Sequence, residues 1–523
     1  MLENASMQAV KRHRIVLIVV MLIVAAFVAR QIPGARTIDD AFITFRYSRN
    51  IVEGEGFVYN PGVRVLGTTT PLFTVLMAAI DIIVGRGDFP NYAPVVSGLA
   101  DGFTAALLYL IFRKLIERDG LAILPGALWV IAPMSVTFAV GGMETSVNIL
   151  WMVGAVYFYL EDRVRWLGVF AGLGLLTRID AALWIAPLFG WQLLECWRES
   201  PGKRLHERIP LQTWIATAII ILPWLIFSVS YFGSPIPRSL SAKSVAYIVP
   251  PASALVRFVQ AYATPFFEFD SFGSLGAMIG AVVYLFLSLV GLLYIFKRKR
   301  RLFPFVIYPW LYMAVFAAAN PLVFRWYLAP PMPALMLGII AGAWSLIQSV
   351  EASGKVRYAA PVAVTGLALL WGGMSLNAWD VHPDHGPDRP APNMAWHEIE
   401  LLYQDIGTQL REEYGVTPQT RVASADIGAV GYFSRATIID TVGLVTPENS
   451  AYYPVDPSLI LDDQNYAVPP QLIADTDPAY FVTMEAFVRL GLEQQPEFTE
   501  EYALLREIST DFYGTGMRLY GHR

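Results

Sequence analysis

Apolar stretches long enough to cross a bilayer recur along the chain, and no other feature restricts its fold as sharply. A membrane helix needs about 20 mostly apolar residues, with a range of about 17–25. The sequence predicts spans near residues 15–31, 93–116, 121–141, 144–161, 166–178, 181–197, 211–231, 272–296, 302–319, 326–349 and 358–378. Only 15% of the 523 residues are charged, against about 25% in an ordinary soluble domain. A large soluble enzyme is excluded; the chain reads as a polytopic α-helical membrane protein. Arg178 and Asp180 interrupt the 166–197 run, which predicts a tight hairpin rather than one long kinked helix.

Orientation follows from basic residues, which short cytoplasmic loops keep in excess. They cluster at Lys11, Arg12 and Arg14; Arg113, Lys114 and Arg118; Arg163 and Arg165; Arg198, Lys203, Arg204 and Arg208; Lys297 to Arg301; and Lys355 with Arg357. Placing all six inside leaves Pro71–Gly85 over. At about 15 residues it is short for a span, and crossing would break the alternation, so it is expected to lie on the outer surface. About eleven spans result, with the N-terminus inside. The segment KRHRIVLIVVMLIVAAFVA also has the build of a signal peptide, but ten further spans favour an anchor.

Charge divides the chain near Trp379. Residues 379–523 carry 23 Asp/Glu against 8 Lys/Arg and no lysine, a net of −15, whereas the rest has 30 basic and 20 acidic residues. The expected organisation is a transmembrane domain over 1–378, with a first outer loop at 32–92, a Pro-rich linker at 379–395, and an acidic extracytoplasmic α/β domain over 396–523. An amphipathic helix near 395–414 and strands at Arg421–Ala425, Thr437–Asp440, Tyr480–Thr483 and Met517–Tyr520 are predicted there. The acidic charge suits solubility; Trp396, Tyr432, Tyr452 and Tyr453 offer faces for a glycan. Asp426 and Asp440 read as turn or cap residues. The single cysteine, Cys196, excludes an intramolecular disulfide and a cysteine metal cluster. GxxxxGK[ST], GxGxxG and GxSxG are absent, and His397-Glu398 lacks a second histidine at the zincin spacing. No nucleic-acid partner is expected.

The chemistry-bearing residues gather on the outer side of this topology. Asp39-Asp40 follows the first span and precedes Phe42, Phe45, Arg46, Tyr47 and Arg49. Glu144 lies at one outer turn, Arg178 and Asp180 at the next, and Arg325 at a third; the loop from Phe232 carries Arg238, Lys243 and Arg257. Ionisable groups near membrane depth pair, line a cavity or work. A carboxylate can take a hydroxyl proton and cations can hold a phosphate, although Arg178–Asp180 alone reads equally well as a structural ion pair.

The block Asp39-Asp40-Ala41-Phe42-Ile43-Thr44-Phe45-Arg46-Tyr47, with Tyr59-Asn60-Pro61-Gly62 and Thr68-Thr69-Thr70-Pro71-Leu72, resembles the GT-C glycosyltransferases. Within them it is most similar to the arabinofuranosyltransferase branch that adds terminal β-1,2-arabinan and its bacterial relatives. Gly142-Met143-Glu144-Thr145, Thr177-Arg178-Ile179-Asp180, Asp426-Ile427-Gly428-Ala429-Val430-Gly431-Tyr432 and Asp440-Thr441-Val442-Gly443-Leu444 are similar to motifs of that group. The resemblance implies an inverting transfer of a sugar, arabinofuranose in the nearest relatives, from a polyprenyl-phosphate donor to a glycan or lipid-linked acceptor. The site would face outward from the plasma (inner) membrane. Asp39 or Asp40 matches the base and Glu144 the second acid. Arg46, Tyr47, Arg178, Asp180, Arg238 and Arg325 are the expected substrate contacts, the arginines by charge and side alone. Some members of the family bind a divalent cation and others need none; Asp39, Asp40 and Glu144 would be its ligands here. The alternatives are a lipid-linked glycan ligase or polymerase of another fold, and a transporter or flippase, for which Asp101 within the second span is the one pointer.

Overall fold

Six helices among the described residues have the length and apolar character to cross a membrane: Val10–Gln31, Phe89–Leu115, Leu211–Phe232, Phe269–Arg298, Arg300–Ala319 and Met332–Ala352. The computed structural model describes residues 2–116, 119–199, 201–202, 204, 207–352, 359–383 and 385–523. Arg118, Lys203, Lys355, Arg357, Tyr358 and Asp384, which figure in the predicted clusters, last span and linker, lie outside the described residues. Four shorter apolar helices accompany the six: Pro71–Val84, Thr145–Leu160, Val164–Thr177 and Val362–Asn377. Large apolar side chains such as Val24, Ile219, Ile226, Met278 and Val282 stand exposed along the long helices. In water each would forgo about 1.5–3 kcal/mol of burial; against lipid they are at home. The chain is a multi-pass membrane protein.

Two predicted spans are corrected. The 121–141 stretch is three short helices, Asp119–Ala122, Leu124–Ile131 and Pro133–Val140. Pro133 lacks the N–H that would continue the second, and Ala132 before it is extended, with ψ 125°. The 326–349 span begins instead at Met332, because Arg325–Tyr327 forms a 3-10 turn ahead of Pro330-Pro331. The 166–197 run does break where the charges fall. Val164–Thr177 ends at Arg178, which is extended (φ −152°, ψ 136°), and Ala182–Glu199 follows after the 3-10 turn Ile179–Ala181.

The chain forms two compact units. The first comprises Met1–Arg36, Ala93–Pro223 and Ala252–Trp396. In it, Phe269–Arg298 and Met332–Ala352 approach until a Cβ on Gly291 would stand 1.9 Å from the Gly338 carbonyl oxygen. Small residues permit such closeness, which membrane helices need because lipid supplies no hydrophobic drive between them. Asp101 is fully paired. It accepts from Arg30 Nε (3.0 Å), Ser146 Oγ (3.1 Å) and Trp129 Nε1 (3.2 Å). Arg36, buried at the end of the first segment, donates to the carbonyls of His385, Pro387 and Ala395. The Pro-rich stretch is therefore held in place, with Trp379–Asp380 (β1) paired antiparallel to Ala391–Pro392 (β2).

The second unit comprises Thr37–Tyr92, Trp224–Pro251 and His397–Arg523. Its sheet contains β3 (Arg421–Ser424), β4 (Thr437–Asp440), β5 (Tyr480–Met484), β6 (Tyr502–Ser509) and β7 (Gly516–His522), ordered β4-β3-β5-β7-β6. β3 runs parallel to β4 and β5, and β7 antiparallel to β5 and β6. The four predicted strands fall on β3, β4, β5 and β7. Strand β6 was not foreseen, because Leu504 and Leu505 on this edge strand are exposed and blur the alternation. Helix Glu398–Glu412 and the short Gly428–Ser434 helix belong to the same unit, as does the first-loop helix Asp39–Val52.

Candidate functional site

Each unit gathers some of the residues that the sequence singles out. In the second unit the first-loop helix opens with Asp39 and Asp40, carboxylates in the turn where a helix favours negative charge. Successive helical residues are about 100° apart, so the two point differently and meet different partners. Asp39 is bound at both oxygens: Oδ2 accepts from Gly428 N (2.9 Å) and Oδ1 from Ala429 N (2.7 Å). Asp40 accepts at Oδ2 from Lys243 Nζ (3.1 Å). Among the described residues its Oδ1 has no hydrogen-bond partner, and the side chain is 27% exposed. Lys243 lies on the Arg238–Ala246 helix, tied to the first loop where Arg238 N donates to the Leu66 carbonyl (2.9 Å).

A third carboxylate joins them. Asp426 Oδ2 accepts from the Tyr403 hydroxyl at 2.8 Å. Burial raises the Asp426 carboxyl; the Tyr403 hydrogen bond and Lys243 pull it down, and Asp40 pushes it further up. Burial first, and the Asp426 charge second, push Asp39 well above the usual carboxylate range against the pull of its two backbone donors. Tyr403 and Tyr247 phenols are likewise raised by burial and then by Asp426.

Arg46 and Tyr47, expected to touch substrate, are struts. Arg46 is 1% exposed and donates to Tyr59 O (2.9 Å), Gly431 O (2.7 Å), Asn60 Oδ1 (3.1 Å) and Ala436 O (2.6 Å). The buried Tyr47 hydroxyl donates to Val65 O (2.7 Å) and accepts from Gly67 N (2.9 Å). Tyr432 and Tyr453, expected as glycan faces, are buried: Tyr432 packs on Phe42 and Phe433, and Tyr453 donates to Thr441 O. Tyr452 and Trp396 are half-buried. Asp440 accepts from Val442 N and Val445 N, both at 2.8 Å, as a turn residue does, and burial pushes its carboxyl up to about 6.

In the first unit Glu144, Arg178 and Asp180 come together. Arg178 grips Asp180 with two parallel bonds (Nε to Oδ1, 2.9 Å; Nη2 to Oδ2, 3.0 Å) and reaches Glu144 Oε1 with Nη1 at 2.7 Å. Tyr312 donates to Asp180 Oδ2 (2.7 Å), and the Tyr327 ring centroid lies 4.9 Å from the guanidinium. Two carboxylates thus neutralise Arg178, which removes it from the cations expected to hold a phosphate. Arg325 is exposed and donates to the Met394 carbonyl at 3.1 Å. Its neighbour on that peptide is Glu268, whose Oε2 accepts from Met394 N (2.9 Å) while Oε1 is buried without a partner. Burial pushes Glu268 up to about 8.

No three His, Cys, Asp or Glu side chains among the described residues converge as metal ligands. With both Asp39 oxygens on backbone N–H groups and Asp40 on the Lys243 ammonium, these carboxylates do not fit the divalent cation that the resemblance allows. Asp426, which reads as a turn or cap residue in the sequence, and Tyr403, which no motif marks, are brought to this group by the fold. The only sequence signal for Asp426 was its place in the Asp426–Tyr432 motif.

Two crystal structures of ArnT from Cupriavidus metallidurans align with this chain at 14% sequence identity. The apo state gives a TM-score of 0.60 over 98% of each chain. The structure bound to undecaprenyl phosphate gives 0.58 over 97% of this chain and 98% of that one. The chain has the GT-C membrane fold. Arabinofuranosyltransferase AftD from Mycobacteria also aligns, with a TM-score of 0.41 at 14% identity, over 96% of this chain and 41% of that one. A family model described as a domain of unknown function, DUF8728, matches residues 392–520. No curated protein matches the chain in sequence. Asp101, the residue that pointed to a transporter, is bonded to Arg30, Trp129 and Ser146.

Proposed function

We propose that this chain is a membrane glycosyltransferase that moves a sugar from a polyprenyl-phosphate donor to a glycan or lipid-linked acceptor at the outer membrane face. The observation that carries it is the whole-length GT-C fold shared with ArnT, one structure of which is bound to undecaprenyl phosphate. Asp40 is the general base. Of the adjacent pair it alone keeps an unpartnered oxygen, and a base must reach the proton it removes. Its carboxylate takes the acceptor hydroxyl proton, the acceptor oxygen bonds to the anomeric carbon, and the bond from that carbon to the phosphate oxygen breaks. The anomeric centre inverts and polyprenyl phosphate leaves. Lys243 holds the Asp40 carboxylate in place. In the second unit Arg238, on the helix that carries Lys243, is the cation for the donor phosphate; in the first, Glu144, anchored by Arg178, is the second acid that the motif offers and Arg325 an exposed cation. The membrane is the plasma (inner) membrane, with the C-terminal domain extracytoplasmic.

The test uses the full chain in nanodiscs, offered labelled polyprenyl-phosphate pentoses (arabinofuranose among them) and hexoses beside nucleotide sugars. Transfer from a lipid donor alone is expected. It should fall about 10²–10⁴-fold in Asp40→Asn, the usual worth of a positioned base, and by less in Asp39→Asn. Turnover that survives Asp40→Asn intact refutes the base, and transfer from nucleotide sugars refutes the donor class.

A further inference from the structure

The DUF8728 region is bonded to the first outer loop at several points, and the one beside Asp39 is built for close approach. Asp39 takes the N–H groups of Gly428 and Ala429. Tyr59 donates its hydroxyl to Ile427 O at 2.5 Å, and Arg46 donates to Gly431 O. Gly428 has no room for a side chain, since a Cβ there would lie 1.8 Å from the Asp39 carbonyl oxygen. These bonds pin the segment immediately after Asp426 to the helix that presents Asp40. The groups facing Asp426 come from several elements: Asp39 and Asp40 from the first-loop helix, Lys243 and Tyr247 from the second loop, Tyr403 from Glu398–Glu412.

We infer that Asp426 is a substrate-binding residue of the Asp40 centre, that Tyr403 is the positioning residue that aims it, and that its ligand is a hydroxyl of a non-anionic sugar. The inference rests on the glycosyltransferase reading for its reaction but not for its binding test. Tyr403 occupies Oδ2, and among the described residues Oδ1 of the half-buried Asp426 has no hydrogen-bond partner. A carboxylate oxygen accepts and never donates, so the ligand brings a donor, as a sugar hydroxyl does. Three carboxyl groups face one ammonium here, and a sugar ring that itself carries a carboxylate, as a uronate does, would meet like charge. DUF8728 then completes the site: it supplies a sugar-gripping carboxylate beside the base.

The test measures sugar binding and transfer separately on the full chain in nanodiscs. Saturation-transfer NMR and titration calorimetry would use methyl pentofuranosides, methyl hexopyranosides and the matching methyl uronides; the lipid-donor assay gives KM and kcat. Asp426→Asn is expected to weaken neutral-glycoside binding and raise KM by about ten- to a hundredfold, the worth of one charge-assisted hydrogen bond. Tyr403→Phe should move the acidic limb of binding to higher pH, because the lost hydrogen bond favoured the carboxylate. A merely structural phenol would leave that limb in place, and this shift carries the test if Asp426→Asn does not fold. Unchanged binding and KM in Asp426→Asn, uronides bound as tightly as neutral glycosides, or a wild type that binds no glycoside would each overturn the inference. Asp426-dependent binding without transfer would refute the glycosyltransferase reading and leave this one standing; transfer indifferent to Asp426 would do the reverse.

Discussion

Arg46 separates a structural role from a binding role most sharply, and Arg46→Lys is the substitution to make. The guanidinium is buried and its planar fork serves four acceptors at 2.6–3.1 Å, three of them backbone carbonyls, with its centre 4.2 Å from the Tyr59 ring centroid. Lysine keeps the charge but has a point-like head with three donors that cannot reproduce the fork. At least two of the four bonds should be lost. Hydrogen bonds to charged groups are worth about 1.5–3 kcal/mol each, so the cost is about 3–6 kcal/mol, a large share of the roughly 5–15 kcal/mol that holds a domain folded. The chain has two units and one melting temperature would blur them. Hydrogen exchange followed by mass spectrometry resolves the difference. Peptides covering 428–440 should exchange about 10²–10⁴-fold faster, at one decade per 1.36 kcal/mol, while peptides from Met332–Ala352 serve as the unaffected reference. Unchanged exchange combined with a raised KM for donor would refute the reasoning and restore Arg46 as a ligand.

Gly428→Ala should cost about 1–3 kcal/mol by overpacking against the Asp39 carbonyl, read as faster exchange of the Gly428–Ser434 helix together with lowered turnover. Glu268→Gln gives a pH signature. Burial raises the wild-type carboxyl to about 8, so its stabilising protonated form is fully present below the ordinary glutamate range and is lost as pH rises through about 8. Melting curves of wild type and variant should therefore diverge with rising pH, the glutamine form gaining by about 3–5 kcal/mol at most; parallel curves would contradict it. Asp101→Ala leaves Arg30 buried and unpaired and should cost about 3–5 kcal/mol, whereas the double change Arg30→Met, Asp101→Leu should cost less than the single one. Unfolding in mild detergent checks both.

Much of the architecture is local and was legible in the residues. Span length and apolar content follow from bilayer thickness, so the helices at 10–31, 211–232 and 269–298 sit where hydropathy puts them. The break at Arg178 and the four strands of the acidic region follow from charge and period-two alternation. Apolar length alone does not register Pro133 or Pro330-Pro331, which break the helices there. The candidate site was legible only as residue types. Nothing in the dipeptide Asp39-Asp40 separates its members, because the partners that do so, Gly428, Ala429 and Lys243, lie hundreds of residues away. Every residue offers a carbonyl, so no pattern could reveal that Arg46 would serve Gly431 and Ala436. The same holds for Arg178, whose charge invited a phosphate until Glu144 and Asp180 were found around it. Sequence decides where a chain can be helical, apolar or charged, since those preferences act over a few residues. Which charge remains available for chemistry is decided by tertiary structure, because neutralising a buried side chain depends on which distant donors and acceptors folding brings to it.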